Sequence, residues 1–127
     1  MFTYFQQECI KVKIKSDSTL QPEVSIICPG AQIDLPPLTE KDEDDILDFG
    51  LKKGIDMISV SWTRKASDID YVRDLVGPRG AHIKIIAKIE CKQGMENYHE
   101  ILKVADGIII ARQYIGLELP SEKVFIA

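Results

Sequence analysis

Three runs rich in isoleucine and valine alternate with amphipathic stretches along the second half of the chain, and this alternation limits the fold more than any other feature. The apolar runs are residues 55–62, 83–90 and 107–111. Their near-continuous Ile and Val content is typical of strands buried on both faces of a parallel sheet. The stretches between them, 67–76 and 95–105, space their apolar residues as an α-helix does. The chain is therefore predicted to be an α/β protein built from βα units.

Capping signals predict where the helices begin and end. Thr39 precedes a run of carboxylates, which the helix dipole favours at a helix start, and Gly54 suits the end of that helix. Gly77 ends the second helix, Gly94 precedes the third, and residues 120–122 are typical of a further start. The apolar faces are predicted to contain Ile46, Leu47, Phe49 and Leu51 in the first helix, Ile69, Val72, Leu75 and Val76 in the second, and Met95, Tyr98, Leu102 and Ala105 in the third.

The N-terminal part of the chain has a different character. Ile10, Val12 and Ile14 alternate with lysines, which predicts a half-exposed strand over residues 9–14. A second short strand is predicted at residues 24–28, because its residues favour β structure and turn residues flank it. This part is therefore expected to consist of short strands without helices.

The charge balance and the cysteines exclude several classes of protein. The 127 residues carry 16 Lys and Arg against 20 Asp and Glu, a net charge of −4. There is no basic stripe, so nucleic acid is not an expected partner. Cys9, Cys28 and Cys91 are widely spaced and odd in number, which indicates reduced thiols and neither a disulfide framework nor a zinc site. The acidic residues between 40 and 48 are interpreted as a solvated helix start and not as a cation site.

No segment is predicted to enter a membrane. The longest apolar runs are well short of the ~18 residues that a membrane-spanning helix needs. The first residues lack the basic start and apolar centre of a secretory signal. The chain is therefore expected to be a cytoplasmic protein that contacts no membrane.

The carboxyl ends of the predicted strands are the expected place for a functional site, because ligands of parallel sheets bind there. These ends are residues 61–65, 88–90 and 111–114. Lys88 and Glu90 are two positions apart and therefore project from the same face of their strand. A lysine and a carboxylate at this place can bind a phosphate and a divalent cation. An ordinary ion pair is the alternative that the spacing alone favours.

Several segments at these strand ends resemble the signature sequences of the pyruvate kinase family. The resemblance runs from about Pro29 to Ala127. It is carried by Lys88-Ile89-Glu90, Asp106-Gly107-Ile108-Ile109-Ile110-Ala111-Arg112, Gly116-Leu117-Glu118-Leu119-Pro120, Leu35-Pro36, Glu40-Lys41-Asp42, Ser61 with Arg64-Lys65, and Glu122-Lys123-Val124-Phe125. Residues 1–28 resemble less closely the return strands of the small lid domain of that enzyme.

The resemblance implies part of a (β/α)₈ barrel of the TIM type. Residues 1–30 are expected to be a remnant of the small β lid domain, and residues 31–127 to hold about three βα units of the barrel. Pyruvate kinases transfer a phosphoryl group from phosphoenolpyruvate to ADP in glycolysis, giving pyruvate and ATP, and they use Mg²⁺ or Mn²⁺ together with K⁺. The expected ligands are accordingly phosphoenolpyruvate, ADP and a divalent cation, whereas the K⁺ ligands of the family lie outside this chain.

The resemblance also assigns roles to single residues. Lys88 matches the catalytic lysine that contacts the phosphoryl group, and Glu90 matches a carboxylate ligand of the divalent cation. Gln113 replaces a glycine that lets the backbone approach the substrate, and Tyr114 replaces an aspartate that supplies a second metal carboxylate. Cys91 replaces an asparagine beside the ligand. With one carboxylate left, weak binding of the metal is expected.

The function of the chain can be interpreted in three ways. A complete barrel takes about 250 residues, so the isolated chain is expected to be inactive, and an enzyme of the pyruvate kinase reaction would need the missing strands from elsewhere. The second interpretation is an inactive fragment or interaction module that associates with full-length pyruvate kinase subunits through its strand edges. The third, an unrelated phosphate-binding α/β domain, is disfavoured by the number of shared motifs.

Overall fold

The computed structural model of the protein describes most of the chain. The described residues are 4–6, 9–11, 13–19, 21–24, 26–31 and 34–125. The strands are β1 (Tyr4–Gln6), β2 (Cys9–Lys11), β3 (Met57–Val60), β4 (Lys84–Ile89) and β5 (Gly107–Ile110). The helices are α1 (Glu40–Asp44), α2 (Leu51–Lys53), α3 (Ala66–Val76), α4 (Lys92–Glu96), α5 (Tyr98–Val104), α6 (Arg112–Glu118) and α7 (Ser121–Val124).

Parallel strands form the centre of the described fold. Over the described residues the parallel sheet has the order β3-β4-β5, with Ile58 opposite Ile85 and Ile86 opposite Gly107. The chain passes from β3 to β4 through α3 and from β4 to β5 through α4 and α5. The predicted α/β class and its βα units are therefore confirmed.

One face of the sheet packs against helices to form the core. Ile85, Ala87 and Ile89 alternate along β4 and are fully buried. Ile69 and Val72 of α3 belong to the same buried cluster, which confirms this part of the inner face predicted for that helix. Burial of an Ile or Val side chain stabilises the fold by about 1.5–3 kcal/mol, so the packing of α3 on the sheet contributes substantially to stability.

The other face of the sheet is open. Ile86 and Lys88, which alternate with the buried residues of β4, are partly exposed, and Ile109 of β5 is exposed. The prediction that the strands are buried on both faces is therefore wrong for the described residues, because the helices that connect the strands cover one face only.

The first helical region has the predicted ends and part of the predicted inner face: Ile46, Leu47 and Leu51 are half-buried, whereas Phe49 is not. Thr39 Oγ1 accepts a hydrogen bond from the Asp42 N–H at 3.3 Å, and Asp42 Oδ2 accepts one from the Thr39 N–H at 2.8 Å, which is a capping box. Gly54 ends α2 with a φ of 67°. A π-helical turn, Asp45–Gly50, separates α1 from α2. This wider turn changes the phase of the helix, and Phe49, predicted on the apolar face, is 62% exposed.

The third predicted helix is divided into two. It begins at Lys92, before Gly94, and is interrupted at Asn97 between α4 and α5. The interruption changes which side chains face the sheet: Ile101 is fully buried, whereas Leu102, which was predicted on the inner face, is exposed.

Two short helices follow β5. The sequence does not predict α6, because no capping side chain precedes it and Gly116 lies within it. The start of α7 at Ser121 after Pro120 agrees with the prediction. In the part of the chain that the structure describes, no helix has both the length and the apolar composition needed to cross a membrane.

The N-terminal strands are only partly as predicted. β1 and β2 pair antiparallel, with Phe5 opposite Ile10. The strand predicted over residues 9–14 ends at Lys11; Val12 lies outside the described residues, and the following residues are irregular. The strand predicted over residues 24–28 is absent at its described positions, which pair with no other strand and so form no ladder, and Ser25 lies outside the described residues.

Candidate functional site

Lys88 and Glu90 lie side by side at the carboxyl end of β4, as their spacing predicts. Lys88 Nζ is 3.1 Å from Glu90 Oε1. The Glu90 side chain is 5% exposed and the Lys88 side chain 28%. A buried carboxylate needs a partner to offset the loss of its hydration, and the ammonium supplies one. Since Lys88 stays partly exposed, its ammonium can still reach a ligand.

The connection from β3 to α3 contacts both charged groups. Ser61 Oγ accepts a hydrogen bond from Lys88 Nζ at 3.1 Å. The Trp62 backbone N–H donates to Glu90 Oε2 at 2.6 Å, and the Thr63 N–H donates to the Lys88 carbonyl oxygen at 3.1 Å. The sequence does not predict these contacts, because two of the three donors are backbone groups that carry no residue-type signal.

Arg64 is buried and holds this connection to its surroundings. Its guanidinium donates to the Leu35 carbonyl oxygen, and its Nε is 3.9 Å from Asp68 Oδ2. Asp68 Oδ2 also accepts hydrogen bonds from the Arg64 and Lys65 backbone N–H groups at 2.9 and 3.2 Å. Asn97 Nδ2 donates to the Arg64 carbonyl oxygen at 2.8 Å. The start of α3 is thus tied to the segment before α1 and to the start of α5.

An open cleft of about 680 Å³ lies at the carboxyl ends of β4 and β5. Its lining residues are Lys88, Glu90, Ile109, Ile110, Ala111, Arg112, Gln113 and Tyr114. The four candidate site residues of the sequence analysis, Lys88, Glu90, Gln113 and Tyr114, therefore share one cleft. Arg112 adds a second cation, while the carboxylate of Glu90 is already paired with Lys88. This charge balance favours a small anionic ligand.

Cys91 is a packing residue next to this cleft. Its side chain is buried, and its Sγ accepts a hydrogen bond from the Gly94 N–H at 3.4 Å at the start of α4. Burial raises the pKa of the Cys91 thiol. Because the thiolate is the nucleophilic form of cysteine, the arrangement gives Cys91 no catalytic character.

The described residues do not fit a divalent cation by themselves. Glu90 has both oxygens engaged, one by the Lys88 ammonium and one by the Trp62 N–H. Gln113 and Tyr114 are neutral, and the described part of the chain brings no three His, Cys, Asp or Glu side chains together as metal ligands. Mg²⁺ is usually held by one or two protein carboxylates together with waters and substrate phosphates. A cation at this place would have to displace either the Lys88 ammonium or the Trp62 N–H from the Glu90 carboxylate.

Comparison with known proteins covers almost the whole chain. A protein-family model described as "Pyruvate kinase, barrel domain" matches residues 2–127. "Pyruvate kinase" of Agaricus bisporus is 46% identical over 118 residues, which are 93% of this chain and 22% of the relative. "Pyruvate kinase PKLR" of Homo sapiens is 45% identical over 120 residues, 94% of this chain and 21% of the relative. "Pyruvate kinase, cytosolic isozyme" of Solanum tuberosum is 40% identical over 118 residues, 93% of this chain and 23% of the relative.

The matches agree with the observed architecture. The chain spans less than a quarter of the length of these relatives. The match to a barrel domain and the parallel sheet with connecting helices together confirm the expected fold class, a partial (β/α)₈ barrel.

Proposed function

The chain belongs to the pyruvate kinase family, and on that premise we propose that its cleft is part of a site that transfers a phosphoryl group from phosphoenolpyruvate to ADP. The products are pyruvate and ATP. The observation that carries the proposal is the Lys88 ammonium, partly exposed beside a cleft that also contains Arg112. Transfer of a phosphoryl group depends chiefly on positioning and on neutralising charge at its oxygens. Lys88 is the catalytic residue proposed to do so.

The cleft also suits the recognition of phosphoenolpyruvate. Gln113 and Tyr114, at the start of α6, line the cleft and are exposed. We propose that both contact the substrate as neutral hydrogen-bonding groups. Gln113 adds a side chain where the family has a glycine, so the substrate is kept further from the backbone of α6.

This chain differs from its family in the carboxylates that it offers to a divalent cation. Pyruvate kinases generally use Mg²⁺ and K⁺. Glu90 is the carboxylate proposed to contact Mg²⁺ or Mn²⁺, but with both oxygens engaged and Tyr114 in place of a second carboxylate it does not make a metal site alone. Binding of the divalent cation is therefore proposed to be weak, and the K⁺ ligands to lie outside the chain.

Binding of phosphoenolpyruvate tests the role of Lys88. Isothermal titration of the chain with phosphoenolpyruvate is compared for the unmodified protein and for Lys88→Met. We expect the affinity to fall about tenfold or more, because loss of a hydrogen bond to a charged group removes about 1.5–3 kcal/mol. Lys103→Met is the matched control, since Lys103 lies on α5 and pairs with Glu100 at 2.7 Å. Equal affinities of the two variants would contradict the proposal.

Catalysis by the isolated chain is a separate question. Since the chain spans less than a quarter of its relatives, we expect no turnover in a lactate-dehydrogenase-coupled assay with phosphoenolpyruvate, ADP, Mg²⁺ and K⁺. Turnover that disappears in Lys88→Ala would show that the chain is an enzyme on its own.

A second candidate function is association with full-length pyruvate kinase subunits. In the described residues β3 and β5 each pair with β4 only, and each presents a free edge. Met57 of β3 and Ile109 and Ile110 of β5 are exposed there. Unpaired edges with exposed apolar residues favour pairing with another chain.

Co-elution of the chain with a full-length pyruvate kinase tests this second function. The chain is mixed with a full-length pyruvate kinase and analysed by size-exclusion chromatography with light scattering. We expect a complex that Met57→Lys abolishes and that Leu102→Lys, an exposed apolar position on α5, does not. Separate elution of the two unmodified proteins would rule out the association.

The remaining expectations about the chain stand as parts of this proposal. Residues 1–30 are proposed to be a remnant of the lid domain and residues 31–127 the partial barrel. A cytoplasmic location is supported by the name of the Solanum tuberosum relative, a cytosolic isozyme. The net charge of −4 supports the absence of nucleic acid among the partners.

A further inference from the structure

The backbone at Trp62 adopts a conformation that is unusual for its residue type. Its φ is 56°, in the left-handed region. Non-glycine residues are uncommon in this region, and their backbone is strained unless the surrounding structure holds it in place. The other non-glycine residue with positive φ in the described part of the chain, Glu23, lies in an exposed turn. Trp62 lies instead in the connection from β3 to α3, where its N–H donates to Glu90.

This conformation brings the peptide of Trp62 to the site. Ser61, Trp62 and Thr63 each make a hydrogen bond to Lys88 or Glu90, and Thr63 is fully buried, with its Oγ1 donating to the Val60 carbonyl oxygen at 2.9 Å. The buried Thr63 side chain thus holds the turn to the end of β3. The hydrogen bond from the Trp62 N–H to Glu90 Oε2, 2.6 Å long, holds the same turn to the end of β4.

The contacts constrain Lys88 through Glu90. The carboxylate is held at both oxygens, so its position relative to the Lys88 ammonium is fixed. Of the three N–H donors of the ammonium, one reaches Ser61 Oγ and one reaches Glu90 Oε1. Among the described residues no third partner of the ammonium is seen, so one donor can serve a ligand in the cleft.

We propose that Ser61 and the left-handed peptide of Trp62 are the positioning elements of this site, which orient Lys88 toward an anionic ligand. Ser61 contacts the Lys88 ammonium directly, and the Trp62 N–H fixes Glu90, the ion-pair partner of Lys88. The inference rests on the proposed role of Lys88 in binding phosphoenolpyruvate. The side chain of Trp62 takes no part; its backbone conformation does.

Two substitutions at position 62 distinguish the effect of the backbone conformation from the effect of the indole side chain. Glycine adopts positive φ without strain, so Trp62→Gly keeps the turn and removes the indole. Valine is β-branched and is a genuine outlier at positive φ, so Trp62→Val opposes the turn. We expect the affinity for phosphoenolpyruvate to fall about tenfold in Trp62→Val and to be restored toward the unmodified value in Trp62→Gly. An equal loss in both variants would overturn the inference.

A spectroscopic measurement tests the geometry without any ligand. In a ¹H–¹⁵N correlation spectrum the amide proton of residue 62 is expected far downfield, because it donates a short hydrogen bond to a carboxylate. Glu90→Gln should move it upfield; Trp62→Gly should retain the downfield position and Trp62→Val should lose it. A signal that does not respond to Glu90→Gln would overturn the positioning role. Failure of the unmodified chain to bind phosphoenolpyruvate, with this pattern intact, would overturn the proposed function instead.

Ser61 provides a milder variant that should fold. Ser61→Ala removes one acceptor of the Lys88 ammonium, and a hydrogen bond of this kind corresponds to about a fivefold change in affinity. Ser67→Ala, on the exposed surface of α3, is the matched control. Equal affinities of the two serine variants would remove Ser61 from the positioning elements.

Discussion

The Asp106 carboxylate lies 3.0 Å from the Arg73 guanidinium, and this contact joins α3 to the residue that precedes β5. Asp106 Oδ2 also accepts a hydrogen bond from the Ile85 backbone N–H at 2.9 Å. These two contacts, the Ile85 hydrogen bond first and Arg73 second, lower the pKa of Asp106 to about 2. A single carboxylate thus connects a helix and two neighbouring strands at the amino ends of the strands, opposite the end that carries the cleft.

Asp106 should make the stability of the chain depend on pH. Its pKa is lower in the folded chain than the ordinary value of 3.8, so its stabilising effect is complete above about pH 4 and is lost as the pH falls toward 2. We expect Asp106→Asn to reduce the free energy of unfolding at pH 7 by about 1 kcal/mol, after allowing for screening by solvent. Urea denaturation between pH 2 and 7 measures this. Asp74→Asn, on the exposed side of α3, should leave the profile unchanged.

Gly94 should tolerate no larger residue. A Cβ atom at this position would lie 2.5 Å from the Thr63 carbonyl oxygen, a backbone atom that cannot rotate away. We expect Gly94→Ala to lower the free energy of unfolding by about 1–3 kcal/mol. Gly116→Ala is the control, because a Cβ there would meet Val124 Cγ2 at an ordinary 3.8 Å. In α6 that alanine should stabilise the chain by about 0.5–1 kcal/mol, and a stabilising Gly94→Ala would contradict the packing.

Asp68 should be needed for the start of α3. It is buried and accepts hydrogen bonds from the backbone N–H groups of Arg64 and Lys65. Asp68→Ala leaves these two backbone donors without their acceptor and removes the carboxylate that pairs with the Arg64 guanidinium, which costs about 1–3 kcal/mol in unfolding free energy. Thermal unfolding of Asp68→Ala against Asp70→Ala, an exposed position two residues later, checks this. Equal stabilities would mean that water replaces the carboxylate.

Restoring a carboxylate to the cleft should restore metal affinity. We expect the double variant Gln113→Gly, Tyr114→Asp to bind Mn²⁺ at least about tenfold more tightly than the unmodified chain, which corresponds to 1.4 kcal/mol from one added ligand. Electron paramagnetic resonance of free Mn²⁺ measures this. The control is Gln113→Gly, Tyr114→Asn, which has a similar shape without the charge. A double variant with unchanged affinity would count against the two positions as part of a metal site.

The strand and helix patterns were predictable where a side-chain period decides the structure. Ile85, Ala87 and Ile89 follow the period of two along β4, and Ile69 and Val72 follow the helical period in α3. The sequence also places Lys88 beside Glu90, because the period of a strand determines that relationship without knowledge of any other element.

The parts that the sequence does not predict depend on the backbone. The interruption at Asn97 changes the helical phase, so Ile101 is buried in place of Leu102. The left-handed peptide of Trp62 has no residue-type signal, since tryptophan is among the last residues expected there. Trp62 and Glu90 are 28 residues apart in the sequence, and the hydrogen bond between them forms only when β3 and β4 pair.

The close approach of Gly94 to the Thr63 carbonyl oxygen affects more than stability. Thr63 is in the same turn as Trp62, so a side chain at position 94 would push on the peptide that holds Glu90. In a scan of all single substitutions, position 94 should therefore be as intolerant as the residues of the cleft, although it lines none of it. Tolerance to mutation along α4 would then depend on the geometry of a peptide that is remote in sequence but adjacent in space, and not on proximity to a ligand.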